Sequence, residues 1–493
     1  MINILHAPLF TAVERDGGTK QLGLLDLLAE AHLFVDLKAA SCTGKFALIR
    51  LCIAFLSDAY CLKEIDERRD LLEAGCFDRS VLERYVAACE TNGTCFALDD
   101  RERPFMQAAY DANLDADAVK PVANILFDAP SGNNHIHLDH RHEDEHEIDA
   151  ACAFESLLEI YMFCTSMSQG YPSGVNNAPP LYALLHGQNF FETLVLNMLS
   201  EEEMDTDNIP YGWNETAWCL HETIIPRKSE INMSLLKALT WQPRRLTIIW
   251  DEDAKVRSIF FQQGLDFRGN ELWKDPHTIY IKTNKDTWTT KQPNLGRELW
   301  RDSGLLLCNN ASIRSTIPII NASDVWDNRP AYLDIELIGM ATDQGTILGR
   351  VNERLKMPRE LFENESAAFE FRWILEKVEL MYRALTKDVV WQFCHASDKK
   401  KKSSVAEQAG EIYLHAIRET VFGSYIKELL TDTSPSDRHA HFMDNVWKAL
   451  DEALSDAVET TGDDVPTMKR QNAVRAKVRK DYMALRKELL SNE

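Results

Sequence analysis

Beyond Glu360 the chain contains only two prolines, Pro435 and Pro466, and each falls between stretches whose apolar residues recur every three or four positions. Proline inside a helix removes a backbone donor and clashes with the preceding turn, so this placement leaves four uninterrupted helices over residues 367–385, 406–430, 439–458 and 468–490. Each has an apolar face that needs a partner, and four in succession predict a four-helix bundle over residues 359–493. A chain of 493 residues also exceeds what one hydrophobic core serves, so residues 1–358 are expected to form a second, larger domain.

That larger domain has a mixed pattern. The first hundred residues read mainly as helix, with apolar spacing at 25–34, 46–60 and 81–90; further helices run from Asp149 to near Met167 and over 190–199. Short β-rich runs at 246–250, 258–261 and 278–282 predict a small sheet. Residues 332–340 alternate Leu333, Ile335 and Leu337 with Asp334 and Glu336. They meet a turn at 341–345, where Gly345 supplies positive φ, and return over 346–351 as a hairpin. The fold class is therefore α+β: a mainly helical N-terminal domain with small β-sheets, then the helical bundle.

Composition excludes other classes. Apolar residues at 45% and charged residues at 27% describe a folded globular chain. No uncharged run reaches the roughly 18 to 20 residues of a membrane helix, and the start lacks a leader pattern, so no membrane role and a cytoplasmic location are expected. The eleven cysteines are scattered, with no C-x-x-C pair, and most sit among apolar neighbours as in Leu51-Cys52-Ile53. The net charge of -23 repels polyanions at long range and argues, taken globally, against nucleic acid.

The motifs that suggest catalysis are weak. Thr43-Gly44-Lys45 resembles the end of a phosphate loop, but Ala39 stands where the leading glycine belongs and Phe46 replaces the Mg-binding hydroxyl. His142-Glu143-Asp144-Glu145-His146 matches the H-E-x-x-H spacing of a zinc hydrolase, with His135, His137 and His140 nearby, yet both x positions are acidic and the surroundings polar, as in a hydrated loop. No G-x-S-x-G signature appears. Two glycine-containing turns carry more: residues 168–174, where a backbone can approach a ligand closely, and Asp343-Gln344-Gly345, which places an amide side chain at a hairpin tip.

Six segments in order resemble the CasA family, the large subunit of the type I-E CRISPR surveillance complex Cascade. They are Arg103-Pro104-Phe105-Met106-Gln107; Ser131-Gly132-Asn133-Asn134 with Leu138-Asp139-His140; the Gly170–Gly174 turn with His186-Gly187 and residues 192–197; residues 239–243; Trp273 with Asp275-Pro276-His277; and residues 339–344. The resemblance implies a subunit without catalysis of its own and without a cofactor or metal. It would read a short motif flanking the target (the PAM) from the minor groove of duplex DNA, promote R-loop formation, and leave sequence recognition to base pairing. It further implies partners: the 5′ handle of the CRISPR RNA, target duplex DNA, the Cascade backbone and small subunits, and a helicase-nuclease effector. Carried over, the family's glycine loop falls on Ser168, Gln169 and Gly170. Its wedge glutamine falls on Gln344 beside Asp343, and its groove-reading lysine on Lys282 or Lys285. The loop contacting the RNA handle falls on residues 124–140, including Phe127, Asn133 and Asn134.

Two other classes compete: a zinc-dependent hydrolase built on His142 and His146, and an acidic helical scaffold. Charge does not favour the scaffold as strongly as its total suggests. Residues 468–490 hold Lys469, Arg470, Arg475, Lys477, Arg479, Lys480, Arg486 and Lys487, so positive charge is concentrated in the last helix. What the net charge predicts is weak binding of free duplex by the isolated chain, since affinity comes from neutralised phosphates.

Overall fold

A computed structural model of the chain describes residues 1–109, 116–129, 146–166, 170–205, 216–218, 229–230, 232–268, 273–386, 399–431, 433–461 and 464–491. The chain divides into two compact units: residues 1–299 with 308–357, and residues 300–307 with 358–493.

The first unit is organised around the Cys42–Tyr60 helix, which is buried on nearly every face. A helix apolar all round belongs inside a core, and Leu51, Cys52 and Ile53 sit there at 2%, 0% and 1% exposure. Burial pushes the Cys52 thiol up, so it acts as a small hydrophobe, and the described cysteines are free thiols. Ser41 caps the helix by accepting from the Gly44 N–H at 2.8 Å, and Cys61 ends it in the left-handed conformation. The Ala150–Phe163 helix, capped by Asp149, packs against it.

Small sheets flank these helices. Phe10–Glu14 lies between Thr19–Leu22 and Phe34–Lys38, and Val256–Gln263 between Val119–Pro121 and Arg244–Trp250. Tyr332–Asp343 lies between Thr346–Pro358 and Tyr182–His186. Tyr280–Lys282 pairs with Trp288–Thr290 and Ile313–Arg314. All are antiparallel; Ser229–Glu230 with Asp266–Phe267 is a short parallel pair. Two expectations are corrected. The helix expected over 25–34 ends at Ala29, and Phe34 opens a strand. The three β-rich runs serve two sheets, because Tyr280–Lys282 joins its own hairpin.

One buried charge ties the layers together. Arg50, on the central helix, donates through Nη1 to Asp275 Oδ1 and Oδ2 at 3.0 and 2.9 Å, with side chains 4% and 0% exposed. Asp275 also accepts from Asn176 Nδ2 at 2.8 Å and from the His277 backbone N–H at 3.0 Å, and its own N–H donates to the Tyr280 hydroxyl at 2.7 Å. Burial would raise the Asp275 carboxyl, but the Arg50 charge overrides it and holds it low. Burial, assisted by Arg50, lowers the His277 imidazole to about 4, so it stays neutral.

In the second unit Glu365–Thr386, Lys399–Glu419, Pro435–Thr461 and Val465–Ser491 pack as a four-helix bundle. Phe422, in a π-helical turn over Thr420–Tyr425, meets Trp300 and Phe371 edge-on at 6.0 and 6.1 Å. Glu370 accepts from the Tyr425 hydroxyl, Arg438 Nε and His439 Nε2 at 2.6, 2.5 and 3.0 Å. Among the described residues no helix is long and apolar enough to cross a membrane.

Breaking a buried pair on one side strands a charge, so Arg50→Met is expected to cost about 3–5 kcal/mol in denaturant unfolding, and Arg50→Met with Asp275→Leu to recover part of it.

Candidate nucleic-acid interface

The Tyr332–Asp343 and Thr346–Pro358 strands turn over Gln344 and Gly345, both at positive φ, 48° and 85°. Two successive left-handed residues give a turn whose twist matches that of the strands. Glycine adopts this freely; Gln344 does not, and its side chain is exposed, as is that of Asp343. The tip rests on another segment. Thr165 Oγ1 donates to the Gly345 carbonyl at 2.6 Å, and a Cβ at position 345 would stand 3.3 Å from the Ser166 carbonyl oxygen.

That segment leads directly to the second predicted element. Gly170 is exposed with φ 79°; Ser168 and Gln169 lie outside the described residues. The stems on either side are held closed. Gly174 N–H donates to the Cys164 carbonyl at 3.1 Å, and Arg244 Nη2 donates to the Thr165 carbonyl at 3.0 Å while Nη1 donates to those of Pro172 and Pro243. Arg244 is 0% exposed, and its guanidinium lies 5.3 Å from the Tyr171 ring centre and 5.9 Å from that of Phe261, with the two rings stacked at 5.6 Å. The structure thus brings Gly170 and Gln344 onto one support.

The candidate lysines differ in their commitments. Lys282 pairs with Asp286 at 2.7 Å and lies 5.7 Å over the Trp288 ring. Lys285 stands exposed in the turn between the two strands and makes no ion pair among the described residues. Neither lysine is hydrogen-bonded to Gly170 or Gln344 among the described residues. The hairpin is anchored from its base, where the Tyr280 hydroxyl meets Asp275.

Asn133 and Asn134 lie outside the described residues. Phe127 is half-buried beneath the Arg350 guanidinium at 5.9 Å, and Arg350 also pairs with Asp128 and donates from Nε to Thr43 Oγ1 and Glu159 Oε1 at 2.7 and 3.0 Å. Arg350 lies on the strand leaving the Gln344 tip, so the base of the predicted RNA-handle loop is tied to the same hairpin.

The phosphate-loop lookalike is occupied by the protein itself. Glu155 accepts from the Ala40 and Ser41 N–H groups at 3.0 and 3.2 Å, and a Cβ on Gly44 would lie 2.0 Å from Glu155 Oε1. Gly44 is there to admit a carboxylate to the helix N-terminus. Lys45 points elsewhere, to Asp36 and Glu336 at 3.1 and 2.9 Å. The strand alternation suggests a solvated Glu336; instead it is buried, accepting from Asn352 Nδ2 at 2.7 Å and paired with His186 Nε2 at 2.7 Å. Burial pushes its carboxyl up, but the His186 hydrogen bond and the Lys45 charge outweigh this and hold it at about 2. Ligand atoms of Asp36, His186 and Glu336 lie within 4.8 Å of one another, as in a metal centre, yet the Lys45 ammonium already supplies their countercharge. His142 lies outside the described residues. His146 is buried in non-helical chain ahead of the Ala150–Phe163 helix, whereas the zinc motif needs both histidines on one helix face.

The Arg103–Gln107 segment turns out to be scaffolding. Gln107 Nε2 donates to the Leu98 carbonyl at 3.0 Å and its Oε1 accepts from the Ile248 N–H at 2.7 Å, beside a cavity of about 290 Å³.

A mainly helical unit with small antiparallel sheets, joined to a helical bundle, is the architecture of known CRISPR-associated proteins. The structure resembles Cse1 from Thermobifida fusca at 20% identity and a TM-score of 0.79, covering 99% of this chain and 98% of that one. It resembles CasA (Cse1) from Thermus thermophilus at 17% and 0.72, covering 97% and 99%. A chain of a solved CRISPR RNA-guided surveillance complex matches at 18% and 0.78, covering 97% and 99%. The search of curated proteins finds no match. The sequence profile of the CRISPR-associated protein Cse1 family matches residues 3–485, and the chain belongs to that family.

Because Glu336 titrates at about 2 in the folded chain against an ordinary 4.5, its stabilisation is present above pH 4.5 and lost as pH falls towards 2. Glu336→Gln is expected to cost on the order of 3 kcal/mol at neutral pH, with the gap to the unmodified chain closing through that acid window in denaturant titrations.

Proposed function

We propose that this chain is the non-catalytic large subunit of a CRISPR RNA-guided surveillance complex, and that it inspects duplex DNA for the flanking motif and starts its opening. The observation that carries this is the hairpin tip. An exposed Gln344 held at positive φ, on a turn bonded to the stem of the Gly170 loop, suits a polar wedge set beside a backbone that can lie against a groove. Family membership and the fold shared with a surveillance-complex chain support the assembly.

In this reading Gly170, with Ser168 and Gln169, lies along the minor groove, and a lysine of the 282–285 turn reads or neutralises it. Lys285 is the better fit, because Lys282 already has Asp286 as its counterion. Asp343 sits where a carboxylate repels phosphate, which confines it to the flank of the wedge. Phe127, Asn133 and Asn134 would meet the 5′ handle of the CRISPR RNA and the neighbouring backbone subunit. The small subunit and a helicase-nuclease complete the partners. The chain would need this assembly to grip DNA, since its net charge of -23 opposes binding alone.

Gln344→Ala is expected to leave the thermal midpoint and complex assembly unchanged while slowing strand opening by roughly tenfold, the effect of losing part of a step worth a few kcal/mol. Fluorescence of 2-aminopurine beside the PAM reads this, and unchanged opening removes the wedge assignment. Lys285→Ala is expected to weaken duplex binding by the complex and reduce the log-affinity versus log-salt slope by about 1, with Lys282→Ala changing it less.

A further inference from the structure

In the proposed function two elements act on one duplex, and hydrogen bonds at Thr165 link their supports. A wedge that unstacks a base pair must resist being pushed back, and a tip displaced by about 1 Å loses much of its effect. The strand leaving the tip, Thr346–Pro358, lies at the edge of its sheet, paired on one side only. At the tip itself Asp343, Gln344, Gly345 and Thr346 are all exposed. The bond from Thr165 Oγ1 to the Gly345 carbonyl is therefore a fixed point at the end of a lever.

Thr165 is itself fixed from the other direction. Its carbonyl accepts from Arg244 Nη2 at 3.0 Å, and the same guanidinium reaches the Pro172 carbonyl across the loop. One buried, planar cation thus spans both stems of the Gly170 loop, held in place by the stacked rings of Tyr171 and Phe261. The threonine joins the two systems: carbonyl to the loop clamp, hydroxyl to the hairpin tip.

We propose that Thr165 and Arg244 are positioning residues that fasten the Gly170 loop to the Gln344 tip, so that groove contact and base-pair opening occur in a fixed register. This rests on the wedge reading of Gln344. Loss of the hydroxyl leaves loop and wedge each intact but free to move independently, so binding survives while opening becomes inefficient.

The test is a mutant cycle on the complex assembled with guide RNA, reading duplex binding and 2-aminopurine opening separately. Thr165→Val is expected to slow opening about fivefold, the worth of one hydrogen bond, with duplex binding within about twofold. Thr165→Ser, which keeps the hydroxyl, is expected to open at the original rate. Adding Thr165→Val to Gln344→Ala should slow opening no further, because an absent wedge needs no support. Thr165→Ala serves as a second hydroxyl deletion if valine lowers the thermal midpoint. The proposal is overturned if both deletions open normally, if serine is as slow as valine, or if the Thr165 and Gln344 effects multiply. If Gln344→Ala alone opens normally, the wedge reading falls and the tie falls with it. If Gln344→Ala is slow and the effects multiply, only the tie falls.

Discussion

The Arg50–Asp275 pair is the interaction from which the first unit's geometry follows. A guanidinium placed in the middle of a fully buried helix is tolerable only if a carboxylate meets it, and Asp275 does so with 0% of its side chain exposed. The same carboxylate fixes Asn176, and with it the turn in which Gly174 and Asn177 bridge. Its backbone N–H fixes the Tyr280 hydroxyl at the base of the lysine hairpin. One ion pair therefore sets the positions of the loop and the lysine strand against the core helix.

The same economy recurs nearer the surface. Arg244 closes the Gly170 loop, Arg350 joins the Phe127 segment to the hairpin, and Glu336 joins that hairpin to the central helix through Lys45. Each is a charged group largely taken from water and held by several partners, though Arg244 Nε makes no hydrogen bond among the described residues. Such networks are a poor source of net stability and a good source of unique geometry. Presenting exposed tips in a fixed arrangement calls for the second.

Local periodicity made much of this readable. The buried helix, the 332–351 hairpin and the four C-terminal helices all announce themselves by spacing, because their signals lie within a few residues. The tip was legible for the same reason: Gln344-Gly345 is a two-residue turn motif. The strands at Phe10–Glu14 and Thr19–Leu22 were not, because short half-polar strands are defined by their partners. Glu336 looked solvated, since nothing local shows that Lys45, 291 positions away, will meet it. Arg244 carries no signal at all in sequence; its clamp exists only when Thr165 and Pro172 are brought round it.

Under the proposed function the net charge of -23 takes on a specific meaning: the chain would present a few shaped contacts and leave the holding of DNA to its assembly. In the proposed function Gln344 enters the duplex beside the flanking motif. Replacing Gln344 by a photocrosslinking amino acid in the assembled, target-bound complex measures this directly. Crosslinks are expected to concentrate at the first base pair next to the PAM. Crosslinks confined to neighbouring protein subunits, or spread along the DNA regardless of PAM position, contradict it.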